Sequence, residues 1–169
     1  MTAALVIIGL MALQRLGELV YARRNTRLLL AKGAVEVGRA HYPLIVLLHA
    51  SWLVAIVVML PPSPSIHWPA VAALVGLQGL RLWVIAALGP YWTTRILTLP
   101  DAPLVRGGPY RFLRHPNYAA VVGEIAILPL AFGQVGVAIV FSILNAAVLW
   151  WRIRVEDSAL RARRELPGG

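Results

Sequence analysis

Long apolar blocks separated by short polar links make up the chain from its first residues to about residue 151. A helix needs roughly 17–25 apolar residues to cross a bilayer, and most of the blocks approach or reach that length. We therefore predict an all-α fold, an integral membrane bundle of five transmembrane helices in a single domain spanning 1–169. The five predicted spans are about 2–21, 43–60, 68–88, 118–132 and 135–151.

The links between the blocks carry helix-ending residues. The second block stops at the Pro-Pro-Ser-Pro run 61–64, and the third stops at Gly89 and Pro90, since proline and glycine disfavour a continuing helix. Only Gly133 and Gln134 separate the last two blocks. So short a connection predicts a tight antiparallel helical hairpin.

Basic residues are concentrated in three places, the links after the first and third blocks and the tail after the fifth. The chain has 16 Lys and Arg against 7 Asp and Glu, whereas the links 61–67 and 133–134 carry no charge. The positive-inside rule therefore predicts a cytoplasmic C-terminus and an N-terminus outside. An excess of Arg over Lys with abundant Ala, Val and Gly indicates a GC-rich bacterial genome, so we expect the bacterial inner (plasma) membrane.

The net charge of +9 does not indicate a nucleic-acid partner. The basic links would meet lipid headgroups, so membrane lipids are the expected partners. The chain has no cysteine, which excludes disulfides and thiolate chemistry. Its four histidines are scattered, and no metal site is expected.

Four charged residues fall inside the predicted spans, although each costs about 2.5–3.5 kcal/mol at the bilayer centre. Arg15 and Glu18 are three positions apart, so we predict that they pair on one helical face. Arg81 and Glu124 lie on different helices. They either pair across the bundle or line a pocket, and as pocket residues they are candidates for contact with a substrate.

The segment 108–118 cannot form a plain helix, because glycine, proline and aromatic residues interrupt it. We predict a folded cytoplasmic loop that offers ring faces and hydrogen-bond donors to a ligand, with Asn117 as the N-cap of the fourth helix. The alternative is a loop that binds lipid headgroups, since Arg and Tyr are common at membrane interfaces. Near the end of the fifth helix, Arg152 and Glu156 share one face at i, i+4. By itself that spacing favours a surface ion pair over a functional role.

Taken together, these motifs resemble the isoprenylcysteine carboxyl methyltransferase family from about Trp92 to the C-terminus. The resemblance rests on Gly108, Pro109, Tyr110, then Arg114, His115, Pro116, Asn117, Tyr118, an apolar hairpin, and finally Arg152, Ile153, Glu156, Asp157 and Leu160. The stretches 14–19 (QRLGEL) and 78–83 (QGLRLW) are similar to a small bacterial branch, the alkylpyrone O-methyltransferases linked to type III polyketide synthases.

The resemblance implies S-adenosylmethionine as the cofactor and a cofactor region over about 91–169. It implies cofactor contacts at Tyr110, Arg114, His115, Pro116, Asn117, Tyr118 and Glu156. Arg152 and Glu156 are the implied catalytic residues, and Trp92, Arg152, Arg81 and Glu124 are the candidates on the acceptor side. Position 157 is Asp where many relatives have Glu.

The expected substrate is a lipophilic acceptor, either an alkylpyrone-type enol or a prenylcysteine-type carboxylate on a prenylated substrate. Two other classes of function remain open at this point. One is a non-enzymatic lipid-binding or transport protein, which intramembrane Arg and Glu would permit. The other is a membrane reductase of related core that uses a nicotinamide cofactor.

Overall fold

The computed structural model describes residues 1–99, 102 and 105–164, without the side chains of His41 and of residues 160–164. The predicted cofactor region therefore falls partly on 100–101, 103–104 and 165–169, which lie outside the described residues. In chain order the elements are α1 (Thr2–Ala31), β1 (Val35–Val37), α2 (Tyr42–Val58), α3 (Trp68–Leu88), β2 (Ile96–Thr98), α4 (Pro116–Leu130) and α5 (Val135–Arg164). Short 3₁₀ turns occupy Arg39–His41, Gly89–Tyr91 and Gly108–Arg111.

Three of the described helices are long and apolar enough to cross a membrane, and they span Thr2–Ala31, Trp68–Tyr91 and Val135–Ala159. The apolar helices α2 and α4 are shorter. Apolar side chains also cover the outer surface, as at Leu13 (66% exposed) and Ile143 (65%), a pattern that suits lipid. The chain is a membrane protein; the five spans and their orientation stay predictions.

The bounds of α3 are those predicted, but α1 is longer than expected. It ends at Ala31 rather than near residue 21, so Arg23, Arg24 and Arg27 lie on the helix and not in a link. Arginine is a good helix former, which allows the helix to continue beyond the apolar block. The chain turns after α1 at Gly33, whose φ of 88° suits glycine.

The start of α4 also differs from the prediction. The helix begins at Pro116 with His115 as the cap residue, so the prediction of Asn117 as N-cap is wrong. Proline has the φ that a first helical turn requires and needs no partner for a missing N–H, which explains a start at Pro116. Asn117 lies instead in the first turn, where its side chain accepts a hydrogen bond from Arg81.

A two-stranded antiparallel ribbon is present that the all-α prediction did not include. Val35 pairs with Thr98, and Val37 pairs with Ile96. Each strand has three residues, too few for a periodic pattern to be visible in the sequence. The ribbon joins the link after α1 to the link after α3.

The helices pack with alternating directions around α4. Its Val121, Ile125 and Leu128 are buried in one apolar cluster with Trp52 and Ile56 of α2. At the end where α2 and α4 finish, the predicted tight hairpin between α4 and α5 is confirmed. It turns at Gly133, with φ 73°, and Gln134 Nε2 donates to the Ile56 carbonyl at 2.9 Å. The opposite end, where α1 and α3 finish and α4 begins, carries the candidate site.

Candidate functional site

A cavity of about 430 Å³ opens between the end of α1, the ribbon, the start of α4 and the later turns of α5. Polar and aromatic residues, among them Tyr110 and Arg152, line it together with apolar residues such as Leu29 and Leu88. The predicted site residues in its lining are Trp92, Tyr110, Arg114, His115, Asn117, Tyr118, Arg152 and Glu156. Pro116, Arg81 and Glu124 are buried and do not line it.

Tyr118 connects the start of α4 to α5. Arg152 Nε donates to the Tyr118 hydroxyl at 2.8 Å, and that hydroxyl donates to the Glu156 carboxylate. Arg152 Nη2 also donates to the carbonyl of Thr94 at 2.9 Å. Arg152 is only 8% exposed. The two hydrogen bonds hold its guanidinium in the cavity wall. Tyr118 thus lies between the two residues that the i, i+4 spacing brought to notice.

The residues before Tyr118 are anchored to α5 as well. The His115 ring stacks on Tyr118, with centroids 5.3 Å apart. Asp157 Oδ1 lies 3.3 Å from Arg114 Nη2 and 3.5 Å from His115 Nε2. His115 Nε2 is buried and makes no hydrogen bond within the described part of the chain. It is therefore an atom that a bound ligand could satisfy.

Tyr110 contributes a neutral hydroxyl to the same cavity. Burial raises the pKa of Tyr110, and the nearby Glu156 carboxylate raises that pKa further. The phenol therefore keeps its proton throughout the physiological range and remains available as a hydrogen-bond donor.

Gly108 fixes the path of the loop that carries Tyr110. Its φ is 60°, and a Cβ there would lie 3.1 Å from the Ala87 Cβ and 3.2 Å from Trp83 Nε1. Both the backbone conformation and the close approach to α3 therefore require glycine.

We expect Gly108→Ala to lower the free energy of unfolding by about 1–3 kcal/mol, through backbone strain and overpacking against Trp83. Thermal unfolding in detergent or nanodiscs measures this. Gly107→Ala is the matched control, because a Cβ at Gly107 meets nothing within 4 Å and its φ is −84°. Equal destabilisation by the two variants would contradict the role given to Gly108.

Charged side chains tie the ribbon to the cavity wall. Glu36 of β1 accepts hydrogen bonds from Arg95 at 2.5 Å and from Arg39 at 3.0 Å. Arg95 lines the cavity and lies over the Tyr42 ring, 4.4 Å from its centroid. Burial raises the pKa of Glu36, but the hydrogen bonds and charges of Arg95 and Arg39 outweigh burial and hold that pKa below its ordinary value.

A depressed pKa in the folded state means that ionised Glu36 stabilises the fold above the pKa it has when unfolded. That stabilisation is lost as pH falls through the lower, folded pKa. We expect Glu36→Gln to lower the free energy of unfolding by under about 1 kcal/mol at neutral pH, because Arg39 is largely exposed. Melting curves of both proteins from pH 7 down to pH 3 should converge. A difference in melting temperature between the two proteins that stays constant with pH would contradict a stabilising role for ionised Glu36.

Asn25 is a site-supporting residue that the sequence interpretation missed. It is 3% exposed, and its Nδ2 donates to the carbonyls of Trp92 at 2.9 Å and Gly89 at 3.2 Å. Tyr21 donates to the same Gly89 carbonyl and stacks on the Trp92 ring. The long α1 thus holds the segment leaving α3 in place. The sequence feature that could have indicated a buried Asn25 is its helical spacing from the apolar residues Ala22 and Leu29.

The four charged residues that fall inside the predicted spans form one cluster. The predicted pair of Arg15 and Glu18 is confirmed, with Nη1 2.9 Å from Oε2. For Arg81 and Glu124 the sequence left two alternatives, pairing or lining a pocket. The structure shows them paired, and Arg81 Nε lies 2.8 Å from Glu124 Oε1. Arg15 also contacts Glu124, and Arg81 lies 3.5 Å from Glu18. We call these two arginines and two glutamates the charge quartet; its formal charges cancel.

Gln78 adds a neutral member to this network, with Nε2 donating to Glu124 Oε1 at 2.9 Å. Among the described residues, no group of three or more His, Asp or Glu side chains is arranged to hold a metal ion.

Comparison with known proteins adds the family. The model of the isoprenylcysteine carboxyl methyltransferase (ICMT) family matches residues 70–162. A Bacillus subtilis (strain 168) protein, named Uncharacterized protein YpbQ, is 40% identical over 159 residues, covering 92% of this chain and 95% of that protein. An Uncharacterized protein of Haemophilus influenzae (strain ATCC 51907 / DSM 11121 / KW20 / Rd) is 27% identical over 142 residues, covering 81% and 83%. No solved structure matches the chain.

The matched segment contains the loop 108–115, α4 and the part of α5 that bears Arg152 and Glu156. These elements contribute Tyr110, Asn117, Tyr118, Arg152 and Glu156 to the cavity lining. The resemblance inferred from the sequence is confirmed at the level of the family, and membership implies a methyltransferase in general terms. The chain belongs to the isoprenylcysteine carboxyl methyltransferase family.

Proposed function

We propose that the chain is an integral membrane, S-adenosylmethionine-dependent O-methyltransferase of a lipophilic acceptor. The observation that carries the proposal is the cavity in which Arg152 and Glu156 are both hydrogen-bonded to Tyr118, beside the loop 108–115. Its lining combines rings, donors and a carboxylate with apolar side chains, as a polar cofactor and a lipophilic acceptor together require.

The residues present fit S-adenosylmethionine. The rings of Tyr110 and His115 suit a flat nucleobase, and the buried His115 Nε2 lacks a hydrogen bond within the described residues. Asn117 and Arg114 offer donors for hydroxyl or carboxylate oxygens, while Glu156 suits a cationic amine. Pro116 sets the start of α4 from which Asn117 and Tyr118 project, and it contacts no cavity space itself.

S-adenosylmethionine supplies a methyl group activated on a sulfonium, so that transfer to an oxygen is a single in-line displacement. The part of the chain is to align and dehydrate the acceptor. Arg152 uses one donor on Tyr118 and one on Thr94. A guanidinium has five N–H donors, so others remain to orient an anionic oxygen. An acidic enol or a carboxylate arrives already ionised, and no general base is needed.

Apolar lining residues, which we call the apolar wall, support a lipophilic acceptor. They include Leu29 of α1, Leu88 of α3 and Ile96 of β2. An alkyl chain placed against this wall leaves water, which contributes roughly 25 cal/mol per Å² of buried apolar surface. The acidic head of the acceptor would then lie towards Arg152.

Calorimetric titration with S-adenosylhomocysteine, the product form of the cofactor, tests the proposal. We expect binding to the purified protein, weakened about tenfold or more by Tyr118→Phe, because Tyr118 connects Arg152 and Glu156. Arg111→Ala is the matched control, an exposed loop residue that does not line the cavity. No binding to the wild-type protein would reject the proposal in favour of lipid binding or transport. Binding of a nicotinamide cofactor instead would support the reductase alternative.

The acceptor is the finer part of the proposal. We favour an alkylpyrone-type enol over a prenylcysteine-type carboxylate, since the stretches 14–19 and 78–83 are similar to the alkylpyrone branch. Membranes containing the protein should be supplied with methyl-labelled cofactor and each acceptor class in parallel. Labelling of a farnesylcysteine analogue alone would reject the alkylpyrone assignment while leaving methyl transfer intact.

A further inference from the structure

Asn117 stands between the cavity and the charge quartet. It lines the cavity, and its Oδ1 lies 3.3 Å from Arg81 Nη1. Arg81 itself is 2% exposed and does not line the cavity. We infer that Arg81 is a positioning residue, which orients the Asn117 carboxamide so that its NH₂ group is the atom presented to the ligand.

The orientation follows from the chemistry of the two side chains. An amide has one oxygen, which accepts, and one nitrogen, which donates, and rotation by half a turn exchanges them. A guanidinium has donors and no acceptor. The atom of Asn117 that faces Arg81 must therefore be the oxygen, because the flipped amide would set donor against donor. The nitrogen therefore does not face Arg81, and we assign it to the cavity that Asn117 lines.

Arg81 can impose this orientation because it is itself fixed. Its Nε and Nη2 both donate to Glu124, at 2.8 and 2.5 Å, and Nη1 also lies 3.5 Å from Glu18. The two bonds to one carboxylate hold the guanidinium plane in the fork geometry typical of arginine. α1 and α4, through Glu18 and Glu124, therefore set the direction in which Nη1 points.

This orientation restricts which ligand groups can bind beside Asn117, and the restriction rests on the proposed function. At the position of Asn117 the cavity accepts a hydrogen-bond acceptor, such as a carboxylate, a hydroxyl oxygen or a ring nitrogen, and rejects a second donor. Neither residue needs to react for this. Arg81 acts on binding alone, through Asn117.

The experiment is a double-mutant cycle, with the dissociation constant of S-adenosylhomocysteine as the readout. We expect Asn117→Ala and Arg81→Gln each to weaken binding about 5- to 20-fold. The Asn117→Ala, Arg81→Gln double variant should bind no more weakly than Asn117→Ala alone, because Arg81 has nothing left to orient. Multiplication of the two losses in the double variant would overturn the inference. Gln134→Leu, at the far end of the bundle, controls for general destabilisation.

If Arg81→Gln fails to fold, Asn117→Asp provides a second test of the inference. An aspartate retains an oxygen for Arg81 but presents oxygen to the ligand in place of the NH₂ group. We expect an unchanged or higher melting temperature together with at least tenfold weaker binding of S-adenosylhomocysteine. Wild-type affinity in this variant overturns the inference and leaves the proposed function standing. Failure of the wild-type protein to bind at all overturns both.

Discussion

Arg152→Ala is expected to lower kcat about 100- to 1000-fold, the loss typical of removing one preorganised donor from a reacting oxygen. Arg152 lines the cavity and donates hydrogen bonds to the Tyr118 hydroxyl and to the Thr94 carbonyl. In the proposed reaction, its loss would leave the anionic acceptor without an orienting cation. The methylation rate at saturating acceptor and cofactor is the measurement.

The control for that variant lies on the same helix. Arg154→Ala removes an exposed guanidinium that stacks on Trp150, 3.9 Å from the ring centroid, and does not line the cavity. Its rate should stay within about twofold of wild type. Arg152→Lys keeps the charge without the fork, so an intermediate rate indicates that geometry matters as well as charge. Full turnover by Arg152→Ala would remove Arg152 from the mechanism.

Glu124→Gln is expected to lower the free energy of unfolding by about 3–5 kcal/mol, as is typical when one partner of a buried ion pair is removed. Glu124 is 0% exposed and contacts both Arg15 and Arg81. The substitution leaves the quartet with two arginines and one glutamate, an uncompensated positive charge away from water. Unfolding in a graded detergent or denaturant series measures the loss.

Charge balance can be separated from lost hydrogen bonding by a second substitution. The Arg15→Gln, Glu124→Gln double variant retains Arg81 and Glu18, so the formal charge of the cluster returns to zero. We expect it to be more stable than Glu124→Gln alone. A double variant less stable than the single one would show that the individual contacts, rather than neutrality, determine the contribution of the quartet.

The sequence predicted those features that depend on neighbours along the chain. The bounds of α3 follow from the proline run 61–64 before it and Gly89 after it. The pairing of Arg15 with Glu18 follows from their spacing of three. In each case one turn of helix or one helix-ending residue carries the information.

Features that join distant segments were not predictable in this way. Arg152 finds its partners 34 and 58 positions away, in Tyr118 and Thr94. The i, i+4 spacing of Arg152 and Glu156 predicts that the two share a helical face. It does not predict that Tyr118 is hydrogen-bonded to both. Asn117 at the start of an apolar run had the composition of an N-cap, yet Pro116 starts the helix and Arg81 engages the Asn side chain.

Because side chains of α1 hydrogen-bond the segment after α3, the part of the molecule that carries the candidate site is not expected to work in isolation. The family match begins at residue 70, whereas Asn25, which holds the carbonyls of Gly89 and Trp92, and Leu29 and Ala34, which line the cavity, precede it. The matched segment is therefore not a transferable module. Grafted onto another membrane scaffold, it would carry the chemical groups but not the wall that encloses them.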